Sequence, residues 1–149
     1  MFSVVVEQVV PGPPEQAYAL AADMASYPKY MDAVKSLEIL ERQGNTQKSA
    51  WAALFQGKLL RWIEEDIFDD EAHTIVYRQL EGDLKKFEGA WRFTPVAEGT
   101  RITLTVEVDL GVPMLVGLLD PVARLITKRN SESMVQSIAA RLTAATGLE

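Results

Sequence analysis

The chain has 149 residues, no cysteine and a formal net charge of −6 at pH 7. The lack of cysteine excludes disulfide frameworks and cysteine-based metal sites, and the acidic balance argues against a nucleic-acid binder, which needs a basic face. No apolar run approaches the roughly 20 residues of a membrane span, and the start lacks the basic segment of a signal peptide. We therefore expect one cytoplasmic domain over residues 1–147, without metal or cofactor, followed by a tag remnant at Leu148-Glu149.

The N-terminal part of the chain predicts a strand followed by two short helices. Residues 2–10 place Phe2, Val4 and Val6 on one face of an alternating pattern, which is typical of a strand. Two consecutive prolines, at 13 and 14, favour the start of a helix that runs to about Met24. Pro28 ends this helix and allows only a second short helix near residues 29–33.

Strand patterns dominate from residue 34 to residue 109, and a long helical pattern follows. Turn-prone clusters interrupt the strands about every 12 residues, at Gly44-Asn45, Gly57-Lys58, Asp69-Asp70-Glu71, Glu81-Gly82-Asp83 and Glu98-Gly99. This spacing predicts six strands joined as antiparallel hairpins. After residue 113, apolar residues recur at helical spacing and form a predicted apolar stripe of Leu115, Leu118, Leu119, Val122, Leu125, Ile126, Met134, Ile138 and Leu142. Pro121 predicts a kink near Asp120.

This order of elements predicts an α+β helix-grip fold. A curved antiparallel seven-stranded sheet would wrap around the long C-terminal helix, with the two short helices after the first strand narrowing one end. The apolar face of such a sheet must be covered, and the C-terminal helix is the element long enough to cover it. A sheet and helix arranged in this way can enclose a cavity.

Four segments carry a resemblance to a known superfamily: "ADMASYPKYMDAVKSLEIL", "LLRWIEED", "FEGAWRF" and "GTRITLTVEVDL". They resemble the START-like superfamily of polyketide aromatase/cyclases and coenzyme Q-binding proteins, over about residues 4–142. The resemblance implies a deep apolar pocket between the sheet and the C-terminal helix. Catalytic members fold and dehydrate a poly-β-ketone chain there without metal or cofactor. The same fold also hosts carriers and sensors, so the resemblance implies a pocket more strongly than a reaction.

Strand alternation and the resemblance together predict the residues of a ligand site. Alternation places Leu60, Trp62, Glu64, Asp66 and Phe68 on one face of their strand. The predicted ligand contacts are Tyr27, Tyr30, Trp62, Asp66, Tyr77, Phe87, Trp91, Leu118, Val122, Ile126 and Arg129. The alternative is that the aromatic side chains fill an ordinary core, since the cavity face and the core face coincide in this fold.

Asp66 departs from the pattern that the resemblance implies. In the aromatase/cyclases an arginine four residues after the first pocket tryptophan anchors the substrate, and this chain has Asp66 there. A carboxylate cannot donate hydrogen bonds. Arg129, on the predicted apolar stripe of the helix, is the candidate replacement. If Arg129 points inward it must pair with Glu64 or Asp66, because an isolated buried charge is costly; otherwise it reaches solvent at the helix end.

Two functions remain open from the sequence. One is a cofactor-free polyketide cyclase/dehydratase, for which Tyr27, Tyr77, Arg78 and Arg129 are candidates to handle protons. The other is a non-catalytic lipid or quinone carrier, for which an apolar pocket suffices. The expected partners are a hydrophobic small molecule and a polyketide synthase or quinone-pathway protein. Either a monomer or a homodimer is compatible with the sequence.

The sequence also predicts an opening to the pocket. Tyr27 and Tyr30 would form one wall of the opening, and residues 81–86 and 111–118 would form the facing wall. His73, the one histidine of the chain, lies in a predicted hairpin turn, and we interpret it as a surface residue.

Overall fold

The computed structural model describes residues 1–111 and 120–146. Seven strands form one antiparallel sheet in the order β1-β7-β6-β5-β4-β3-β2. The strands are β1 (Phe2–Val10), β2 (Val34–Gln43), β3 (Thr46–Phe55), β4 (Lys58–Asp69), β5 (Thr74–Gly82), β6 (Lys86–Val96) and β7 (Gly99–Asp109). The helices are α1 (Pro14–Ala22), α2 (Tyr27–Tyr30) and α3 (Asp120–Thr146), with a 3₁₀ turn at Met24–Ser26. The predicted α+β helix-grip fold is confirmed.

The sheet is a meander from β2 to β7, with β1 added beside β7. Hairpins join all consecutive strands from β2 onward, and each lies at a turn-prone cluster that the sequence predicts. β1 pairs with β7 along its whole length, from Phe2 opposite Val108 to Val10 opposite Thr100. β5 and β6 pair only from Thr74 to Arg78, so the two strands separate beyond that point.

The second short helix begins earlier than the sequence predicts. It covers Tyr27–Tyr30, with Pro28 in its first turn, whereas we expected residues 29–33. The first turn of a helix tolerates proline because its N–H groups have no intrahelical acceptor. Pro28 therefore belongs to the start of α2, and the prediction that it precedes this helix was wrong.

The inner face of α3 differs from the predicted apolar stripe in its first half. Ala123, Thr127, Ser131, Val135 and Ile138 are buried at intervals of three or four residues. Two members of the predicted stripe, Val122 and Leu125, are instead 42% and 47% exposed. The inner face of this half therefore carries small side chains where large apolar ones were expected. The part of the predicted helix before Asp120, and with it the predicted kink, lies outside the described residues.

The position of α3 leaves space above the middle of the sheet. The helix packs mainly along β1 and α1, and it makes few contacts with β3 and β7. Small side chains on its inner face cannot fill the gap to the middle strands. A cavity is therefore a consequence of where the helix lies and of which residues it turns inward. Over residues 1–111 and 120–146, no helix is both long and apolar enough to cross a membrane.

Candidate functional site

A cavity of about 100 Å³ lies between the middle strands and α3. One water molecule needs roughly 10–15 Å³ measured in this way, so the space is large enough for a group of several atoms. Among the described residues, six aromatic side chains line it: Trp51, Phe55, Trp62, Tyr77, Phe87 and Trp91. Flat apolar walls of this kind favour planar hydrophobic ligands.

Four of the predicted ligand contacts lie in the cavity wall. Trp62, Tyr77, Phe87 and Trp91 all line it. Phe87 packs against Trp62 and Tyr77, with ring centroids 5.1 and 5.6 Å apart. Trp51, which is not among the predicted contacts, also lines the cavity and stacks on Trp62, with ring centroids 5.4 Å apart. That these side chains touch a ligand stays a prediction.

The predicted position of Tyr27 at the cavity mouth is wrong. The Tyr27 side chain is completely buried, and its hydroxyl donates to the carbonyl oxygen of Ala21. Its ring packs edge-on against Trp51, behind the cavity wall. Tyr30 is half-buried and also lies outside the wall, and the Arg141 guanidinium covers its ring at 4.6 Å. Tyr27 and Tyr30 therefore lie behind the cavity wall and do not form its opening.

The predicted contacts from the helix are wrong for three residues. Val122 and Arg129 are exposed on the outer side of α3, and half-buried Ile126 does not line the cavity. Leu118, the fourth, lies outside the described residues. The reason is the helical phase, because Thr127 and Ser131 occupy the inner positions and Arg129 lies between them on the far side. Thr127, Asn130, Ser131 and Met134 form the helical wall instead.

The remaining sequence candidates also lie away from the cavity. Arg78 is exposed and pairs with Glu65 on the outer face of the sheet, at 2.9 Å. His73 sits in the turn before β5, partly covered by the ring of Tyr18. Of the predicted opening, Leu84 lines the cavity, whereas residues 112–118 are outside the described residues. Neither Arg78 nor Arg129 can meet a ligand in this cavity.

Two acidic side chains, Glu64 and Asp66, are buried side by side on the inner face of β4. Glu64 is 2% exposed and lines the cavity. Asp66, two positions further along β4, is fully buried but does not line the cavity, so its prediction as a ligand contact is wrong. None of the ion pairs among the described residues includes either side chain. Two adjacent buried carboxyls without a cation cannot both carry a charge.

Glu64 is the member of the pair whose pKa is raised. Burial raises the pKa of Glu64 well above its ordinary value, and the neighbouring Asp66 raises it further. The indole N–H of Trp62, which donates to Glu64 Oε1 at 2.8 Å, opposes this increase. Asp66 Oδ1 has no hydrogen-bond partner among the described residues.

Asp66 is held in place by donors from β3. Ser49 Oγ and Gln47 Nε2 both donate to Asp66 Oδ2, at 2.7 and 3.0 Å. Ser49 in turn accepts the indole N–H of Trp51 at 2.9 Å. Gln47 also accepts a hydrogen bond from Arg42, at 3.3 Å. These hydrogen bonds fix the position of the Asp66 carboxyl group beside Glu64.

The Tyr77 hydroxyl can reach the carbonyl oxygen of Thr105 because Gly89, next to both groups, has no side chain. The Tyr77 hydroxyl donates to the carbonyl oxygen of Thr105 at 2.7 Å, across β6. A Cβ at Gly89 would lie 1.9 Å from that oxygen and 2.6 Å from the hydroxyl. Burial raises the pKa of Tyr77, and the charges of Glu64 and Glu107 raise it further. Tyr77 is therefore a neutral group that has already donated its proton.

Two polar residues of the cavity wall, Thr127 and Asn130, are not predicted from the sequence. Glu64 is not among the predicted ligand contacts, although strand alternation already places it beside Trp62 on the inner face of β4. The polar groups of α3 carried a weaker signal. Small residues at 123, 127 and 131 recur every four residues and mark an inner face that cannot fill its surroundings.

A sequence profile of the family described as "polyketide cyclase / dehydrase and lipid transport" matches residues 10–135. The chain belongs to this family. The match also confirms the resemblance to polyketide cyclases that the four sequence segments carry.

Solved structures and one curated protein show how close the relatives are. The crystal structure of TTHA0849 from Thermus thermophilus is 38% identical, with a TM-score of 0.90 over 97% of this chain and 99% of that one. The Zhui aromatase/cyclase from Streptomyces sp. R1128 is 22% identical, with a TM-score of 0.81 over 95% and 93%. The bifunctional cyclase/dehydratase of granaticin polyketide synthase from Streptomyces violaceoruber is 30% identical over 98 residues. That alignment covers 64% of this chain and only 30% of the relative.

Proposed function

We propose that this protein binds an apolar, ring-containing or polyketide-like molecule in the cavity and dehydrates or cyclises it without a cofactor. The observation that carries the proposal is a buried carboxyl group, Glu64, which lines a largely aromatic and aliphatic wall beside a second buried carboxyl group, Asp66. A cavity that only carried a lipid would gain nothing from a buried acid pair, whose burial is costly. Membership of the family and the names of the granaticin and Zhui relatives support the same substrate class.

The Glu64–Asp66 pair has the proton inventory that a dehydration needs. It holds one proton and one negative charge, so it can accept one proton and release another. In a β-hydroxy ketone, the pair takes the proton from the carbon between the two oxygen-bearing carbons. The carbon–oxygen bond then breaks, and the hydroxyl leaves as water with a proton from the pair. The products are an unsaturated ketone and water, and the pair regains its single proton.

A simple β-hydroxy ketone tests this function. The aldol adduct of benzaldehyde and acetone loses water to give a conjugated ketone, whose absorbance can be followed directly. We expect saturable turnover by the wild type and a loss of about 10²–10⁴-fold in Glu64→Gln, the range of general acid–base catalysis. Glu38→Gln, on an exposed position of β2, is the control. No turnover above the uncatalysed rate with this adduct, or with longer β-hydroxy ketones, would contradict the proposal.

A non-catalytic carrier is the second candidate. The observation that favours it is the lack of a cation in the described part of the cavity wall, since Asp66 replaces the expected arginine and Arg129 faces outward. No positive group of the described wall is then present to stabilise an enolate. Saturable binding of an apolar ligand without any turnover would support the carrier.

A further inference from the structure

Most polar groups on the sheet side of the cavity have donated their protons to protein acceptors. Trp51 Nε1 donates to Ser49 Oγ at 2.9 Å, and Trp62 Nε1 donates to Glu64 Oε1 at 2.8 Å. The Tyr77 hydroxyl donates to a backbone carbonyl of β7 at 2.7 Å. A carbonyl oxygen carries no proton, so the direction of that bond is certain.

The polar groups on the helix side follow the same rule. The Thr127 hydroxyl donates to the carbonyl of Ala123 at 2.9 Å, and the Ser131 hydroxyl donates to the carbonyl of Thr127 at 2.8 Å. Asn130 Nδ2 donates to the carbonyl of Leu54 at 3.1 Å, and it keeps one further N–H. The helix therefore leaves the cavity one neutral donor.

Trp91 is the exception on the sheet side. Its ring stacks on Phe93, with centroids 6.1 Å apart, and no acceptor among the described residues takes its indole N–H. Seven side chains of the described wall always carry an N–H or O–H group, and only Trp91 and Asn130 keep a free proton. Both of these remaining donors are neutral. Ligand oxygens that only accept can therefore gain no charged hydrogen-bond donor from the described wall.

The same groups keep their capacity to accept. Hydroxyl oxygens that have donated still have free lone pairs, and so does the amide oxygen of Asn130. Glu64 Oε1 accepts one indole N–H and has room for another donor. The acceptors of the described wall therefore outnumber its two free donors, and no ion pair among the described residues involves Glu64. A ligand that brings its own proton gains a hydrogen bond that an oxygen without a proton cannot make with these acceptors.

We propose that this cavity selects apolar ligands that bring their own hydroxyl proton, namely phenols and enols, over ligands whose oxygens only accept, such as quinones and aryl ethers. The inference rests on the proposed function, in that the cavity must first bind an apolar ring compound. It goes further by naming the polar group that the ligand must carry. It also separates the ligands of the two functions considered above, because a quinone has no proton to donate.

Three ligands with the same ring system test the proposal by calorimetry on the wild-type protein. They are 2-naphthol, which has a hydroxyl proton, and 2-methoxynaphthalene and 1,4-naphthoquinone, which have none. We expect 2-naphthol to bind at least about fivefold more tightly than either, the value of one hydrogen bond between neutral groups. Equal or tighter binding of the ether or the quinone would overturn the inference while leaving the proposed function intact. Failure of all three, and of naphthalene itself, would overturn both.

Two substitutions at Glu64 locate the acceptor. Glu64→Met removes it, and we expect the preference for 2-naphthol to fall to within about threefold of the ether. Glu64→Gln keeps an oxygen beside Trp62 and an N–H for Asp66, and should retain most of the preference. Glu65→Met, the next residue on the outer face of β4, is the matched control and should retain all of it. A full preference in Glu64→Met would contradict the assignment, and the wild-type comparison decides the proposal if that variant does not fold.

Discussion

The indole N–H of Trp62 donates to Oε1 of Glu64 across 2.8 Å, within the wall of the cavity. An indole N–H can only donate, so Oε1 of Glu64 is the acceptor of this bond. Asp66 lies two positions further along β4 and raises the pKa of Glu64. Trp62 therefore orients the carboxyl group as well as forming part of the apolar surface.

The raised pKa of Glu64 should make the stability of the protein depend on pH. The folded state holds this proton more tightly than the unfolded state, in which the pKa is about 4.5. The stabilisation is complete below that pH and is lost as the pH rises towards the folded-state pKa. Between about pH 5 and pH 8, the free energy of unfolding of the wild type should fall relative to that of Glu64→Gln, which cannot ionise. Urea titrations at several pH values measure this difference, and parallel pH profiles would show that Glu64 is not protonated; Glu38→Gln should follow the wild type.

Ser49 should be important for stability although it is small. Its hydroxyl donates to Asp66 and accepts from Trp51, so Ser49→Ala leaves a buried carboxylate oxygen and an indole N–H each short of a partner. We expect a loss of about 1–3 kcal/mol in the free energy of unfolding. Ser36→Ala, at an exposed position of β2, should change it by less than about 0.5 kcal/mol. Equal effects of the two substitutions in urea titrations would show that the Ser49 bridge contributes little.

Ser131 offers a way to fill the cavity. Ser131→Leu should place an apolar side chain in the space beside Trp62 and Met134, both of which line the cavity. We expect an increase of about 0.5–2 kcal/mol in the free energy of unfolding, together with loss of naphthalene binding. Ser133→Leu, on the exposed side of α3, should leave binding unchanged. If Ser131→Leu still binds naphthalene as tightly as the wild type, the ligand occupies another place.

Arg129 should have no energetic connection with the acid pair. Because its side chain is exposed, Arg129→Met should change the free energy of unfolding by less than about 0.5 kcal/mol. Combined with Asp66→Leu or Glu64→Leu, its effect should be additive. A coupling energy well above about 0.5 kcal/mol in either double-mutant cycle would place Arg129 inside the cavity and contradict the structure.

Local patterns determined most of the fold. Alternation placed Leu60, Trp62, Glu64 and Phe68 on the inner face of β4, and the turn-prone clusters marked every hairpin of the meander. These features depend on residues close together in the chain, so they can be predicted before any packing is known. The aromatic character of the cavity wall follows from the same alternation.

Tertiary packing decided the chemistry of the site. The rotation of α3 turned Thr127 and Ser131 inward and Arg129 outward, and helical periodicity alone could not choose between these faces because Val122 and Leu125 made the outer one look apolar. Tyr27 is buried because its ring packs against Trp51, a residue of a distant strand. That Glu64 and Asp66 share a face follows from the sequence. The raised pKa of Glu64 depends on burial, which only the positions of the surrounding elements determine.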